Sequence, residues 1–184
     1  MNVLALSGSL RAASINTAFC RAAAQLAPPT MHVTVFAGLG ELPLFNPDLE
    51  AQRPATVHAL YAAVDSADAL LIASPEYAHG ISGVLKNALD WLVSFEGLVY
   101  KPIALINTSA RAHHADDSLR EVLRTMSTLL VDEASIGIPL LGHCMTEDSM
   151  LASPEASAAI RARLLALGAY LGGQRATAPR FPLV

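Results

Sequence analysis

Cysteine is almost missing from this chain. Cys20 and Cys144 are the two among 184 residues. They lack Cys-x-x-Cys spacing, which excludes a disulfide framework and points to reduced thiols in a cytoplasmic protein. No run of Lys or Arg appears and the formal net charge is −4, so neither nucleic acid nor an anionic membrane surface is expected as a partner. No uninterrupted apolar stretch reaches the ~18 residues a membrane span needs. The first apolar run, Val3 to Leu6, is short and has no Lys or Arg before it, so it does not read as a secretion signal. Repeats, low-complexity tracts and linkers are missing too, and residues 1–184 read as one domain. The chain has no Gly-Lys-Ser/Thr closing a phosphate loop, no Gly-x-Gly-x-x-Gly fingerprint and no Gly-x-Ser-x-Gly elbow, which disfavours nucleoside triphosphate, Rossmann-type dinucleotide and α/β-hydrolase chemistry. His113 and His114 have no carboxylate or Cys at ligand spacing, so no metal site is expected.

What is present is apolar and periodic. The chain is 53% hydrophobic and 15% charged, enough to fill a core on both sides of a sheet. Short apolar or β-branched runs at 3–6, 32–37, 69–74, 103–107 and 134–140 read as five strands. The run 69–74 is apolar almost throughout, as in a parallel strand covered on both faces. Between the strands lie helical patterns: Ile15, Phe19, Ala22 and Leu26; residues 55–66; a helix capped by Ser82; a helix opened by Asp116 or Asp117; and a last helix announced by Ser153-Pro154-Glu155. The Pro-bearing connection 38–54 is expected to be ordered by Leu42, Leu44 and Phe45. Strands alternating with helices imply an α/β fold with a parallel sheet and right-handed crossovers. The expectation is a flavodoxin-like, five-stranded sheet of order 2-1-3-4-5, whose ligand site lies at the switch point between strands one and three.

Three loops meet at that edge: 8–16, 74–81 and 107–114. The first joins a strand to a helix through Ser7-Gly8-Ser9-Leu10-Arg11-Ala12-Ala13-Ser14. Its hydroxyls, the Arg11 cation and the positive end of the helix suit a single phosphate. The same residues also suit a plain helix start capped by Ser14. The second loop offers a proline-stiffened backbone, Glu76 and the ring of Tyr77. Thr108 and Ser109 stand opposite. A flat heterocycle with a monophosphate arm describes FMN.

Gly8-Ser9-Leu10-Arg11-x-x-Ser14-x-Asn16, taken with Pro75-Glu76-Tyr77-x-x-Gly80-x-x-Gly83-x-Leu85-Lys86-Asn87-Ala88-Leu89-Asp90-Trp91, closely resembles the NADPH-dependent FMN reductase family. That family includes quinone, chromate and azo-dye reductases. The resemblance implies bound FMN, with NADPH or NADH as co-substrate and hydride transfer to a small-molecule acceptor by a ping-pong mechanism. The chemistry resides in FMN, and no side chain is assigned as catalytic. Ser9, Arg11, Ser14, Ile15 and Asn16 are the implied phosphate-side residues. Pro75, Glu76, Tyr77 and Gly80 border the isoalloxazine, with Thr108 and Ser109 on the far side.

The chain departs from the family at Ala78, where Asn is common, and at Ser82, where Pro is common. Its loop Ser109-Ala110-Arg111-Ala112-His113-His114 replaces a glycine-rich one. Arg111 and His113 are the substrate-contact candidates there, whereas His114 reads as solvated loop and His79 as structural or pocket-lining. Lys86 and Asp90 read as a surface ion pair, and Cys20 as buried and inert. Trp91, Phe95 and Leu98 exceed what an inner helix stripe needs. They point to an apolar patch and a homodimer, with a tetramer as the alternative assembly. The competing functions are a flavodoxin-like electron carrier without turnover and a flavin-binding sensor.

Overall fold

The computed structural model describes residues 1–109, 113–135 and 145–177. Five parallel strands form the main sheet: β1 (Asn2–Ser7), β2 (His32–Val35), β3 (Ala69–Ala73), β6 (Pro102–Ile106) and β7 (Leu129–Leu130), in the order β2-β1-β3-β6-β7. This is the expected flavodoxin-like order, with a small antiparallel hairpin, β4 (Glu76–Tyr77) and β5 (Gly80–Ile81), set aside from it. The helices are α1 (Ile15–Leu26), α2 (Ala55–Asp65), α3 (Gly83–Leu92), α4 (His113–Thr125), α5 (Glu147–Ala152) and α6 (Pro154–Thr177).

The central strands read as unbroken apolar runs because both faces are covered. Val3 and Ala5 of β1, Leu71 of β3 and Ile106 of β6 join one core with Phe19, Ile160 and Leu164 from α1 and α6. The alternate residues Leu4, Leu6, Leu70, Ile72 and Leu105 join another, with Leu60, Leu85, Leu89 and Leu119 from α2, α3 and α4. Each such side chain removed from water is worth about 1.5–3 kcal/mol. A period-two strand between two helix layers therefore has no polar face to show.

Several expectations need correction. The fifth strand of the sheet is at Leu129–Leu130, and of the expected 134–140 only 134 and 135 are described, neither in a strand. Its ladder runs from the Leu129 N–H on the Lys101 carbonyl to the Val131 N–H on the Ile103 carbonyl. The next β6 amide, Leu105 N–H, donates to the Ser135 hydroxyl at 3.0 Å instead. A side-chain acceptor thus replaces the backbone partner and ends the strand; residues 136–140 lie outside those described. Helix α4 opens at His113, not at Asp116 or Asp117, because Glu76 reaches its first turn from the hairpin. Helix α5 was not expected; a Thr146/Ser149 capping box starts it. Within 38–54, Leu42 is buried but Leu44 is 83% exposed.

Trp91 does not form an outward patch. It is fully buried, as is Leu98. Its ring meets Phe45 edge-on at 5.1 Å and its indole N–H donates to the Pro43 carbonyl at 2.8 Å. Asn87 adds two bonds to the same segment, accepting from Phe45 N–H and donating to Pro43. The extra apolar width of α3 is therefore used inward, to hold the 42–46 connection.

The hairpin turn is unusual. Ala78 and His79 have φ of 49° and 59°, the two positive angles of a type I′ turn, which favours Asn-Gly. Alanine is poorly suited to the left-handed region. Ala78→Asn is expected to stabilise the protein by about 0.5–1 kcal/mol. A chemical-denaturation midpoint unchanged or lowered would contradict this reading of the turn.

Candidate functional site

The strand order reverses between β1 and β3, and the loops after β1, β3 and β6 all leave at the carboxyl edge. A cavity of about 290 Å³ opens there. Ile15 and Asn16 line it from α1, Pro75 and Glu76 from the segment after β3, and Thr108 and Ser109 from that after β6. Six of the sequence-expected residues thus converge on one space. Asn16 and Thr108 are buried, and the Thr108 hydroxyl donates to Asn16 Oδ1 at 2.9 Å. That bond ties the first turn of α1 to the loop after β6 and leaves the Asn16 NH₂ as a donor.

Ser74 lines the same cavity and was not foreseen. Its signal was available, since it follows the third strand as Gly8 follows the first. The Gly8 N–H donates to the Ala73 carbonyl at 2.8 Å, which brings the two loops together. A Cβ on Gly8 would stand 2.5 Å from Ser74 Oγ and 2.9 Å from Ser82 Oγ. A side chain at this crossing would force the Ser74 and Ser82 hydroxyls to move. Ser82 is also the N-cap of α3, accepting from Leu85 N–H.

Ser14 caps α1, accepting from Thr17 N–H at 3.3 Å, so the plain reading of that residue holds geometrically. Capping and anion binding are compatible, because a hydroxyl that accepts one bond still has its own proton to donate. Ser9 Oγ accepts from Arg11 N–H. Arg11 is exposed and, with Ser14, borders a second cavity of about 350 Å³ between the start of α1 and residues 145–147. Arg111 lies outside the described residues. Tyr77 is 58% exposed, on β4 of the hairpin.

Glu76 is positioned by the fold to do more than border the cavity. One carboxylate oxygen accepts from the Ala115 N–H at 2.9 Å, capping α4; the other faces His79 Nδ1 at 3.4 Å. The helix-terminal amide holds its carboxyl below the usual range, with smaller contributions of the same sign from His114, His79 and His113, against an opposing contribution from desolvation. A carboxyl whose pKa is lowered by folding adds stability above its unfolded pKa, and loses it as pH falls through the folded one. Glu76→Gln is therefore expected to be less stable than the parent near pH 7, and the difference should fade near pH 3. Equal denaturation midpoints near pH 7 would contradict the capping role.

Two other expectations meet the structure directly. Cys20 is fully buried and its thiol is pushed up to about 12 by desolvation, so it offers no thiolate. Lys86 and Asp90 form the expected ion pair on α3. Among the described residues no helix is long and apolar enough to cross a membrane, and no three His, Cys, Asp or Glu side chains are grouped to hold a metal ion.

Residues 1–140 match the NADPH-dependent FMN reductase family, and the chain belongs to it. A quinone reductase of Escherichia coli is 38% identical over 114 residues, covering 60% of this chain and 60% of that protein. The chain thus spans about 60% of the length of the first curated relatives it matches. A 2-hydroxy-1,4-benzoquinone reductase from Burkholderia sp. is 35% identical over 144 residues, covering 75% of this chain and 78% of the other. The flavoenzyme NAD(P)H:(acceptor) oxidoreductase of Paracoccus denitrificans has the same fold, with a TM-score of 0.69 at 22% identity over 91% of this chain and 97% of that one.

The donor set fits FMN. The first amides of α1 have no intrahelical partner, and Ser9, Arg11 and Ser14 precede them in the same loop, the residue types a phosphate monoester takes. Ile15 and Pro75 give the cavity apolar walls, and the Asn16 amide is a polar group on the same wall.

Proposed function

We propose that the protein is an FMN-dependent NAD(P)H oxidoreductase that delivers hydride to a quinone or similar small acceptor. The observation that carries this reading is the cavity at the β1/β3 switch point, with Asn16, Pro75-Glu76 and Thr108-Ser109 on its walls. The relatives' names, quinone reductase and 2-hydroxy-1,4-benzoquinone reductase, supply the acceptor class. When bound, FMN supplies hydride acceptance and hydride donation, and the protein supplies binding and orientation.

The chain's own residues have separable tasks in this reading. Ser9, Arg11 and Ser14 hold the phosphate, with the Ile15 and Asn16 amides. Pro75, Glu76, Tyr77 and Gly80 form the wall along the ring, and Thr108 and Ser109 close the other side. The rim between the hairpin and the 108–109 segment is shared by nicotinamide and acceptor in turn, which gives ping-pong kinetics. No side-chain nucleophile takes part. His113 and Arg111 are the acceptor contacts of this reading. The protein acts in the cytoplasm as one domain and as a homodimer. Trp91 is buried and so is no part of the dimer surface in this reading; Leu44 and Tyr77 are among the large apolar side chains left exposed.

Arg11→Ala separates the phosphate role from a general one. The variant is expected to weaken FMN by the ~1.5–3 kcal/mol of a lost charge-assisted contact, and to leave riboflavin binding nearly unchanged. Equal losses for both flavins would reject the phosphate assignment. Flavin released by denaturation should be FMN; stoichiometric FAD would overturn the cofactor.

A further inference from the structure

Three imidazoles stand together beside the cavity rim, and the reading above leaves their grouping unexplained. The His79 ring from the hairpin meets the His114 ring edge-on at 4.2 Å, and His114 lies 4.1 Å from His113 at the start of α4. All three are exposed. One carboxylate accompanies them, Glu76, and both of its oxygens are engaged, by the Ala115 N–H and by His79. Asp116, on the next part of the same turn, is paired with Arg120 at 2.8 Å. Asp117 is exposed on α4, and Tyr77 is the remaining titratable group of the hairpin. Glu76 itself lines the cavity, so the cluster begins where the cavity rim ends.

We propose that His79, His113 and His114 form an anion-recognition rim, which selects small redox partners carrying an acidic group next to the part that enters the cavity. This rests on the oxidoreductase reading and adds the substrate class to it.

The physical argument is one of charge balance. Histidine is the side chain that ordinarily changes charge between pH 5 and 8. With all rings neutral the group carries the single negative charge of Glu76. The first proton on the rings cancels that charge and further ones make the group positive, and like charges on rings about 4 Å apart oppose one another. An anion arriving at the rim removes this opposition. Binding of the anion and uptake of protons are therefore linked, and each strengthens the other. The amide dipole of α4 does not provide the attraction, because Glu76 already occupies that helix end. Nor are the rings grouped as metal ligands, since no such group occurs among the described residues.

Two matched pairs identify where the anion sits. The first is 1,4-naphthoquinone against its 2-sulfonate, with one nicotinamide donor. The second is NADH against NADPH, which differ by a phosphate. The FMN-loaded protein is assayed between about pH 8 and 6, beside a His79→Asn/His114→Gln double variant; asparagine tolerates the positive φ at 79. The expected result is that kcat/KM for the sulfonate rises about fivefold against the neutral naphthoquinone as pH falls, the scale of one or two exposed charge contacts. The double variant should lose that gain. A gain in the sulfonate pair places the anion on the acceptor, beside the ring that enters; a gain confined to the NADPH pair, whose extra phosphate is on the adenosine ribose far from the nicotinamide, overturns the proposal. No gain in either pair, or a gain that survives in the double variant, overturns the proposal.

A readout without turnover keeps this separate from the oxidoreductase reading. Imidazole proton resonances of the protein, followed by NMR, should titrate at higher pH with naphthoquinone-2-sulfonate than with naphthoquinone. If neither quinone is reduced yet those midpoints shift, the function fails and the anion rim stands. If turnover is normal and the midpoints do not move, the rim fails alone.

Discussion

Trp91→Ala is expected to destabilise the protein by about 3–5 kcal/mol, the range for emptying a fully buried aromatic site. For a chain of this size that lowers the melting temperature by roughly 6–20 °C. The reason is the position of Trp91 as a staple. Its indole N–H and Asn87 both donate to the Pro43 carbonyl, its ring supports Phe45, and its own carbonyl accepts from the Tyr61 hydroxyl. Trp91→Phe separates packing from hydrogen bonding. It keeps much of the volume, and Pro43 retains its bond from Asn87, so a loss of about 1–2 kcal/mol is expected. A Trp91→Ala protein as stable as the parent would contradict the buried placement.

The second large effect is expected at Gly8. Gly8→Ala forces a Cβ to within 2.5 Å of Ser74 Oγ and 2.9 Å of Ser82 Oγ. Overpacking of this kind costs about 1–3 kcal/mol. The strain falls on the site as well as the fold, because Ser74 lines the cavity and Ser82 caps α3. FMN affinity is therefore expected to drop together with the denaturation midpoint. Adding Ser74→Ala removes the nearest atom but leaves Ser74 Cβ at 3.0 Å and the Ser82 hydroxyl, so recovery should be partial. Unchanged FMN binding in Gly8→Ala would show that the two loops do not need this close crossing.

The legible part of this protein was whatever a local pattern determines. The run 69–74 is apolar on both faces because helices cover both, and its neighbours share that property. Alternation with helical periods then leaves few topologies. The cavity was legible for the same reason, since the switch point follows from strand order and the polar loops mark the carboxyl edge. What escaped depends on distant partners. The fifth strand is two residues long because Ser135 replaces a backbone acceptor for Leu105, which no local window contains. Helix α4 starts early because Glu76, 39 residues away, caps Ala115. The inward side of Trp91 is not legible locally, because the helix pattern counts apolar residues and carries no trace of the 42–46 connection that packs on α3. Exposed Leu44, expected to anchor that connection, shows the same limit: Asn87 and Trp91 hold it through its backbone.

The central claim is that this edge of the sheet holds FMN and exposes it to a nicotinamide donor. Anaerobic titration of the FMN-loaded protein with NADPH and with NADH, followed by the flavin absorbance band, tests it most directly. The account predicts that one equivalent of the preferred donor bleaches the band with no acceptor present, and that a quinone restores it. A band that stays unchanged with both donors would contradict the account.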